Sequence, residues 1–344
     1  MRAADVLKMP YYAAELATGA KSFCDNPLIG SRRLNEAGLH VKRIQLAEQM
    51  ADARRRRLAH LISDADRAAY QRDGYIETRN VLPEEQLAGL RREIETTRFD
   101  AWDMRQGNSV TRFIPLPPKV LRNLPHLRAA VWSKPLQNGL RYVGSTNGDP
   151  LIYLHIVLTN PDGKRKADPQ TAFHSDTFHQ TAKCWLFLYD IDDAEGPFTY
   201  IPGSHRLTPE RLAWEREQSL TASTDKNRLH ARGSFRLPAN ELSRLNYPDP
   251  VRFAVPGNSL VVADTHGFHA RATSERPSVR VGLYGSLRRN PFLPWTGLDV
   301  FSLPGAKGRQ AQIYMGQKDL EMRLKGKTSH KYAGKVLPTE PSRF

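Results

Sequence analysis

Phe173-His174-Ser175-Asp176 sets a histidine and a carboxylate two residues apart, with a small residue between them. In an extended chain, residues i and i+2 point to the same face. His174 and Asp176 can therefore reach one metal ion together. A third ligand would complete the two-histidine, one-carboxylate facial triad, which leaves coordination positions open as non-haem Fe(II) oxygenases require. His-X-Asp on its own occurs by chance in many chains, so the surrounding sequence decides its meaning.

Working outward, short candidate strands fill the second half: residues 151–159, 171–176, 183–189, 198–201, 251–255, 259–263 and 278–287. Gly, Pro, Asn or Asp punctuates most of them. Many short strands of this kind predict a sandwich or barrel. The polar, basic stretch 206–245 interrupts them and reads as a helical insertion. Upstream, Ser63 is a candidate N-cap for a short helix closed by Gly74. Tyr75 to Leu82 reads as extended, and Pro83-Glu84-Glu85 opens a helix running to about Thr97. Three units follow: a basic helical N-terminal extension at 1–62, a main domain at 63–300 and a basic, loosely packed C-terminal tail at 301–344. The fold expected is mainly β with flanking helices, a double-stranded β-helix or jelly roll.

Two further segments belong with the His-X-Asp pair. One is Gly196-Pro197, running into Pro202-Gly203-Ser204-His205. The other is Gly257-Asn258-Ser259-Leu260-Val261-Val262-Ala263-Asp264, leading to His266 and His269, with Arg280 in Ser278-Val279-Arg280-Val281-Gly282. Near the start lie Ala69-Tyr70-Gln71-Arg72-Asp73-Gly74-Tyr75 and Asn80-Val81-Leu82. In order and spacing these motifs resemble the phytanoyl-CoA dioxygenase family of Fe(II)/2-oxoglutarate-dependent oxygenases, over about residues 62–290. The resemblance implies His174, Asp176 and His269 as iron ligands and Arg280 as the partner of the distal carboxylate of 2-oxoglutarate. It also implies Fe(II), 2-oxoglutarate and O2 as cofactor and co-substrates, and hydroxylation with release of succinate and CO2. A planar guanidinium suits a carboxylate held through two bonds. His266 competes with His269 as the distal ligand. The spacing of 11 residues to Arg280 favours His269.

One position departs from the family. A small hydroxyl residue often lies two places after the distal histidine, and here Arg271 stands there. Tyr153, His155 and Thr159 are the candidates for a second co-substrate contact, with no choice between them. His179 could face substrate, His205 would shape a loop, and Trp185 and Phe187 read as core.

The chain has 344 residues, a formal net charge of +15 and 40% hydrophobic residues, an ordinary globular composition. Two cysteines, Cys24 and Cys184, exclude a disulfide framework and a cysteine-based zinc site. The absence of a long apolar run and of a signal-peptide pattern points to a soluble, cytoplasmic protein. The 54–57 arginine run has two readings, peripheral contact with an anionic membrane surface and a solvated helix face. Arg271, Arg276, Arg288 and Arg289 favour an anionic substrate, small or lipid-like. Three alternatives stay open: a zinc hydrolase on the same residues, a non-catalytic jelly-roll binding protein, and a nucleic-acid dealkylase. No nucleic-acid partner is expected, because no interleaved aromatic and basic motif accompanies the charge. The sequence does not specify an oligomeric state.

Overall fold

The computed structural model describes residues 7–160 and 168–343. Eleven strands run through the described residues: β1 Tyr75–Thr78, β2 Phe99–Gln106, β3 Ser109–Pro115, β4 Leu151–Thr159, β5 Ala182–Phe187, β6 Phe198–Tyr200, β7 Val251–Arg252, β8 Ser259–Asp264, β9 His269–Arg271, β10 Ser278–Leu287 and β11 Lys331–Val336. They form an eight-stranded antiparallel sheet, β1-β8-β5-β10-β4-β3-β2-β11, and a three-stranded one, β7-β6-β9. This is the double-stranded β-helix with flanking helices expected for the chain, of which the strand pattern by itself predicts a sandwich or barrel.

Strand alternation divides the side chains between two layers. Cys184 and Leu186 of β5, Leu260 and Val262 of β8, and Val281 and Leu283 of β10 pack outward under the helices Glu84–Thr96 and Lys134–Val143. Their neighbours Phe187, Val261 and Ala263 point inward, against Phe198, Tyr200 and Phe253 of the small-sheet layer. β8 is buried at every residue, which explains why its sequence is a continuous apolar run with no alternation. Truncating one of these side chains, as in Leu186→Ala, is expected to cost about 2–5 kcal/mol.

Local signals upstream act as their chemistry requires. The Ser63 side chain caps the helix Asp64–Asp73, and Gly74 ends it at φ 87°. A Cβ there would meet the His205 ring at 2.5 Å, so the 203–205 turn packs directly against this helix end.

Several expectations need correction. Residues 171–176 form no strand; the 3-10 turn Pro169–Thr171 leads into isolated bridges at His174, one to Arg236 and one to His269. The 54–57 run is not one solvated face. Arg54 is buried and donates to the carbonyls of Ser145, Pro291 and Leu293, while Arg55 is buried and pairs with Asp52. The stretch after residue 300 is not loose: it carries the helix Gln310–Lys325 and β11, which pairs with β2 through a register shift at Tyr332/Gly334. There Arg112 of β3, 1% exposed, bonds Asp103 through two nitrogens and also the carbonyls of Pro338 and Glu340. The sequence reading passed over the β2–β3 hairpin entirely.

The stretch 206–245 holds the helices Pro209–Thr221, Arg228–Ala231 and Ala239–Arg244. Trp214 and Phe235 from it pack with Phe23 and Ile29 of the N-terminal region and with Phe268, next to His269. The N-terminal region and the insertion together build a wall beside the mouth of the barrel. No helix among the described residues is long and apolar enough to cross a membrane.

Candidate active site

His174 lies alongside β9, where it and His269 exchange backbone N–H···O bonds of 3.0 Å in both directions. This pair of bonds sets the two rings 4.4 Å apart. The Asp176 N–H donates to the Thr265 carbonyl, which fixes the carboxylate two residues further on. One ligand atom each from His174, Asp176 and His269 lies within 4.8 Å of the other two. His266 is not in that group. It is fully buried, and its Nδ1 faces the Thr177 carbonyl at 3.0 Å.

The second nitrogens orient the imidazoles. His174 Nδ1 lies 2.8 Å from the Ala172 carbonyl and His269 Nδ1 lies 3.0 Å from the Gly267 carbonyl. Each Nδ1 therefore carries the proton, and each Nε2 lone pair is left for a metal. Burial holds both rings neutral: His269 falls to about 4, and His174 lies well below its ordinary value. Burial alone would raise the Asp176 carboxyl, but the Lys183 ammonium beside it outweighs that and holds it well below the usual range. Lys183 Nζ lies 2.5 Å from Asp176 Oδ2. Two neutral imidazoles and one carboxylate form a donor set suited to a divalent first-row metal.

Arg280 sits on the inward face of β10, opposite Val157 of β4. Its Nη1 donates to the Gly196 carbonyl, while Nε and Nη2 are buried without a partner. Gly196 can supply that carbonyl because it adopts φ 70°, and a Cβ there would lie 2.5 Å from the Ala272 oxygen. Burial, reinforced by Arg271, lowers Arg280 to about 9. Arg280, His174 and His269 line one cavity of about 210 Å³ with His155, Trp185 and Tyr284.

The other residues singled out from sequence divide cleanly. His155 lines the cavity, stacked on Tyr284 at 5.1 Å. Tyr153 packs with Ala311 and Met315, and Thr159 Oγ1 lies 3.2 Å from Ser109 Oγ. Trp185 and Phe187 both line the cavity, against the core reading, although Phe187 also joins the inter-sheet cluster. His179 is buried with Nδ1 on the Gln180 carbonyl and does not line it. Arg271 lines it and pairs with Asp168 at 2.5 Å. Sequence reasoning missed Lys183, whose signal was a lone charge in the apolar run Ala182-Lys183-Cys184-Trp185-Leu186-Phe187. It also missed Thr111 and Phe113 of β3. Gly107-Asn108, a two-residue hairpin loop with Gly107 at φ 60°, could have revealed that strand.

The model of the family described as phytanoyl-CoA dioxygenase (PhyH) matches residues 70–236. Over that stretch, just under half of its length, the chain is similar to the phytanoyl-CoA dioxygenase family. The matched stretch holds His174 and Asp176, whereas His269 and Arg280 lie beyond it. Among curated proteins, the ectoine dioxygenase of Bordetella parapertussis is 27% identical over 157 residues, which cover 40% of this chain and 48% of that protein. The chain thus spans about half the length of that relative. Two solved structures resemble it more distantly. HygX from Streptomyces hygroscopicus, with nickel and 2-oxoglutarate bound, is 14% identical at a TM-score of 0.41, covering 65% of this chain and 86% of its own. EctD from S. alaskensis, with iron bound, is 17% identical at a TM-score of 0.39, covering 66% and 76%.

Phytanoyl-CoA dioxygenase family members work with Fe(II) and 2-oxoglutarate, and the residues present fit both. The free Nε2 atoms and the Asp176 carboxylate suit iron. The two unpartnered Arg280 nitrogens suit a carboxylate, since a buried guanidinium with unmet donors is costly unless a ligand meets them.

Proposed function

We propose that this protein is an Fe(II)- and 2-oxoglutarate-dependent dioxygenase that hydroxylates a small organic substrate and releases succinate and CO2. His174, Asp176 and His269 would hold the iron, and Arg280 the distal carboxylate of 2-oxoglutarate. The observation that carries this reading is Arg280, with Nε and Nη2 buried and unpartnered in the cavity that the two histidines also line. A zinc hydrolase on the same three ligands would leave that guanidinium without a role.

Bound iron supplies oxygen activation and oxidative decarboxylation of the co-substrate. The chain's own residues bind and orient. The Gly196 carbonyl holds one edge of Arg280, so the other edge is presented to the co-substrate. The Ala172 and Gly267 carbonyls keep both imidazoles in the ligating tautomer. Trp185, stacked on Phe198 at 4.0 Å, gives the cavity an apolar wall that limits water at the reacting carbon. His155 stays neutral, lowered to about 3 by burial and by Arg271 and Arg280, and it offers a hydrogen bond with no added charge.

The test is succinate release by the anaerobically Fe(II)-loaded protein over a panel of candidate substrates. Arg280→Gln is expected to raise the 2-oxoglutarate concentration needed for half-maximal turnover at least tenfold, because hydrogen bonds to charged groups contribute about 1.5–3 kcal/mol. An unchanged 2-oxoglutarate dependence would remove Arg280 from the role given it here.

A further inference from the structure

Three cations from three separate parts of the chain gather at Asp176 and its neighbour His174, and a fourth, Arg288, lies within electrostatic reach of two of them. Lys21 of the N-terminal region donates through Nζ to the Asp176 carbonyl. Lys183 of β5 pairs with the Asp176 carboxylate. Arg236, from the insertion, bridges to His174 through its backbone and leaves Nη1 buried and unpartnered. Arg288 follows β10 directly, four residues after the cavity-lining Tyr284, and is exposed. Among the described residues, none of Lys21, Arg236 and Arg288 has an acidic side chain within ion-pair distance. These groups form a set apart from Arg280. The charges acting on Lys21 are Asp176, Arg288, Lys183 and Arg236, whereas those acting on Arg280 are Arg271, Asp168 and Glu195.

Charge balance shows what the set lacks. With iron and 2-oxoglutarate in place, the metal is neutralised by Asp176 and one co-substrate carboxylate. Arg280 and Arg271 are neutralised by the other carboxylate and by Asp168. Lys21, Lys183, Arg236 and Arg288 remain without a counter-charge. Lys21, Lys183 and Arg236, partly withdrawn from water, are costly unless paired, and a cleft of one sign, to which the exposed Arg288 adds, concentrates ligands of the opposite sign.

We propose that Lys21, Lys183, Arg236 and Arg288 form a subsite for an anionic group of the substrate, a phosphate or carboxylate held on the Asp176 side of the site, away from Arg280. The proposal rests on the dioxygenase reading for which side of the iron the substrate occupies. It makes the N-terminal region part of the active site through Lys21, and it makes the insertion part of it through Arg236.

The experiment is calorimetric titration of methyl phosphate and of acetate into the full chain, loaded anaerobically with Fe(II) and saturating 2-oxoglutarate. Saturable binding is expected at low salt, weakening as salt rises. Arg236→Gln and Arg288→Gln should each weaken it at least tenfold, the scale expected for one charge-assisted hydrogen bond. Arg288 is exposed and makes no hydrogen bond among the described residues, so its variant does not put folding at risk. Arg280→Gln should bind the probe as the parent does. Tighter binding of methyl phosphate assigns a phosphoryl group, and tighter binding of acetate assigns a carboxylate. Three results would overturn the subsite: no saturable binding of either probe, affinity unchanged from the parent in both arginine variants, or loss of binding in Arg280→Gln. Iron content is measured on the same samples. A chain that takes up no iron yet binds methyl phosphate through Arg236 and Arg288 keeps the subsite and loses the dioxygenase reading.

Discussion

His266 and His269 lie three residues apart and are both buried, yet their surroundings give them different roles. The His269 ring stands against His174, with Nε2 3.8 Å from Asp176 Oδ2. His266 lies outside that cluster. We expect His269→Ala to abolish stoichiometric iron binding, with His266→Ala retaining it; metal analysis after gel filtration reads both, and the reverse pattern would exchange the two roles. Gly196 affords a second test at this scale. Gly196→Ala places a methyl where the Ala272 oxygen already stands and strains a backbone at φ 70°. The carbonyl that holds Arg280 must then move. Affinity for 2-oxoglutarate should fall several-fold in titrations of the iron-loaded protein, while iron affinity holds.

Individual elements show where sequence was informative. β10 was legible because it alternates, with apolar residues under the helices and polar or small ones inside, and β4 because it is a long run rich in apolar and β-branched residues. The helix Asp64–Asp73 was legible because its cap and its terminating glycine are local signals. β2 and β3 were not. Arg112 and Asp103 are charged residues inside them, and polarity argued against burial until the tertiary fold paired them. The ordered C-terminal region was hidden for the same reason, since its basic residues give no hint that β11 completes a sheet edge. At the site, spacing offers His174 and Asp176 and the family resemblance offers His269 and Arg280, whereas Lys183 shows only as a lone charge in an apolar run and Arg236 depends on contacts that no local pattern encodes. Arg112 yields the prediction for this scale. Arg112→Met leaves Asp103 buried without its partner and should cost about 3–5 kcal/mol in urea unfolding. Adding Asp103→Leu should recover much of that loss; equal stability of the single and double variants would contradict it.

For the molecule as a whole, the buried histidines decide the response to acid. Burial lowers His155 and His179 to about 3, against about 6.5 in an unfolded chain. Between these values the unfolded state binds more protons than the folded state, so stability falls as pH drops from about 6.5 toward 3. At pH 5 each residue removes about 2 kcal/mol relative to pH 7. Glu48, which burial raises to about 7, acts in the opposite direction between its unfolded value and 7 and offsets part of the loss. The urea midpoint should therefore be lower at pH 5 than at pH 7, and a higher one would contradict neutral, buried histidines.

The strand pairings have a kinetic consequence as well. Among the described residues, only β2 and β3 in the large sheet are joined by a tight turn; β1 pairs with β8 and β2 with β11, each across more than half the chain. Loop-closure entropy must be overcome before such contacts return any stability, so folding should be slow, with most of the search spent before the first distant pair forms. The β2–β3 hairpin can form early, on a microsecond scale. The two histidines and the carboxylate come together only once β9 lies beside residue 174. Metal added to a refolding chain should thus register late, after most of the fluorescence change from Trp102 and Trp185 has passed.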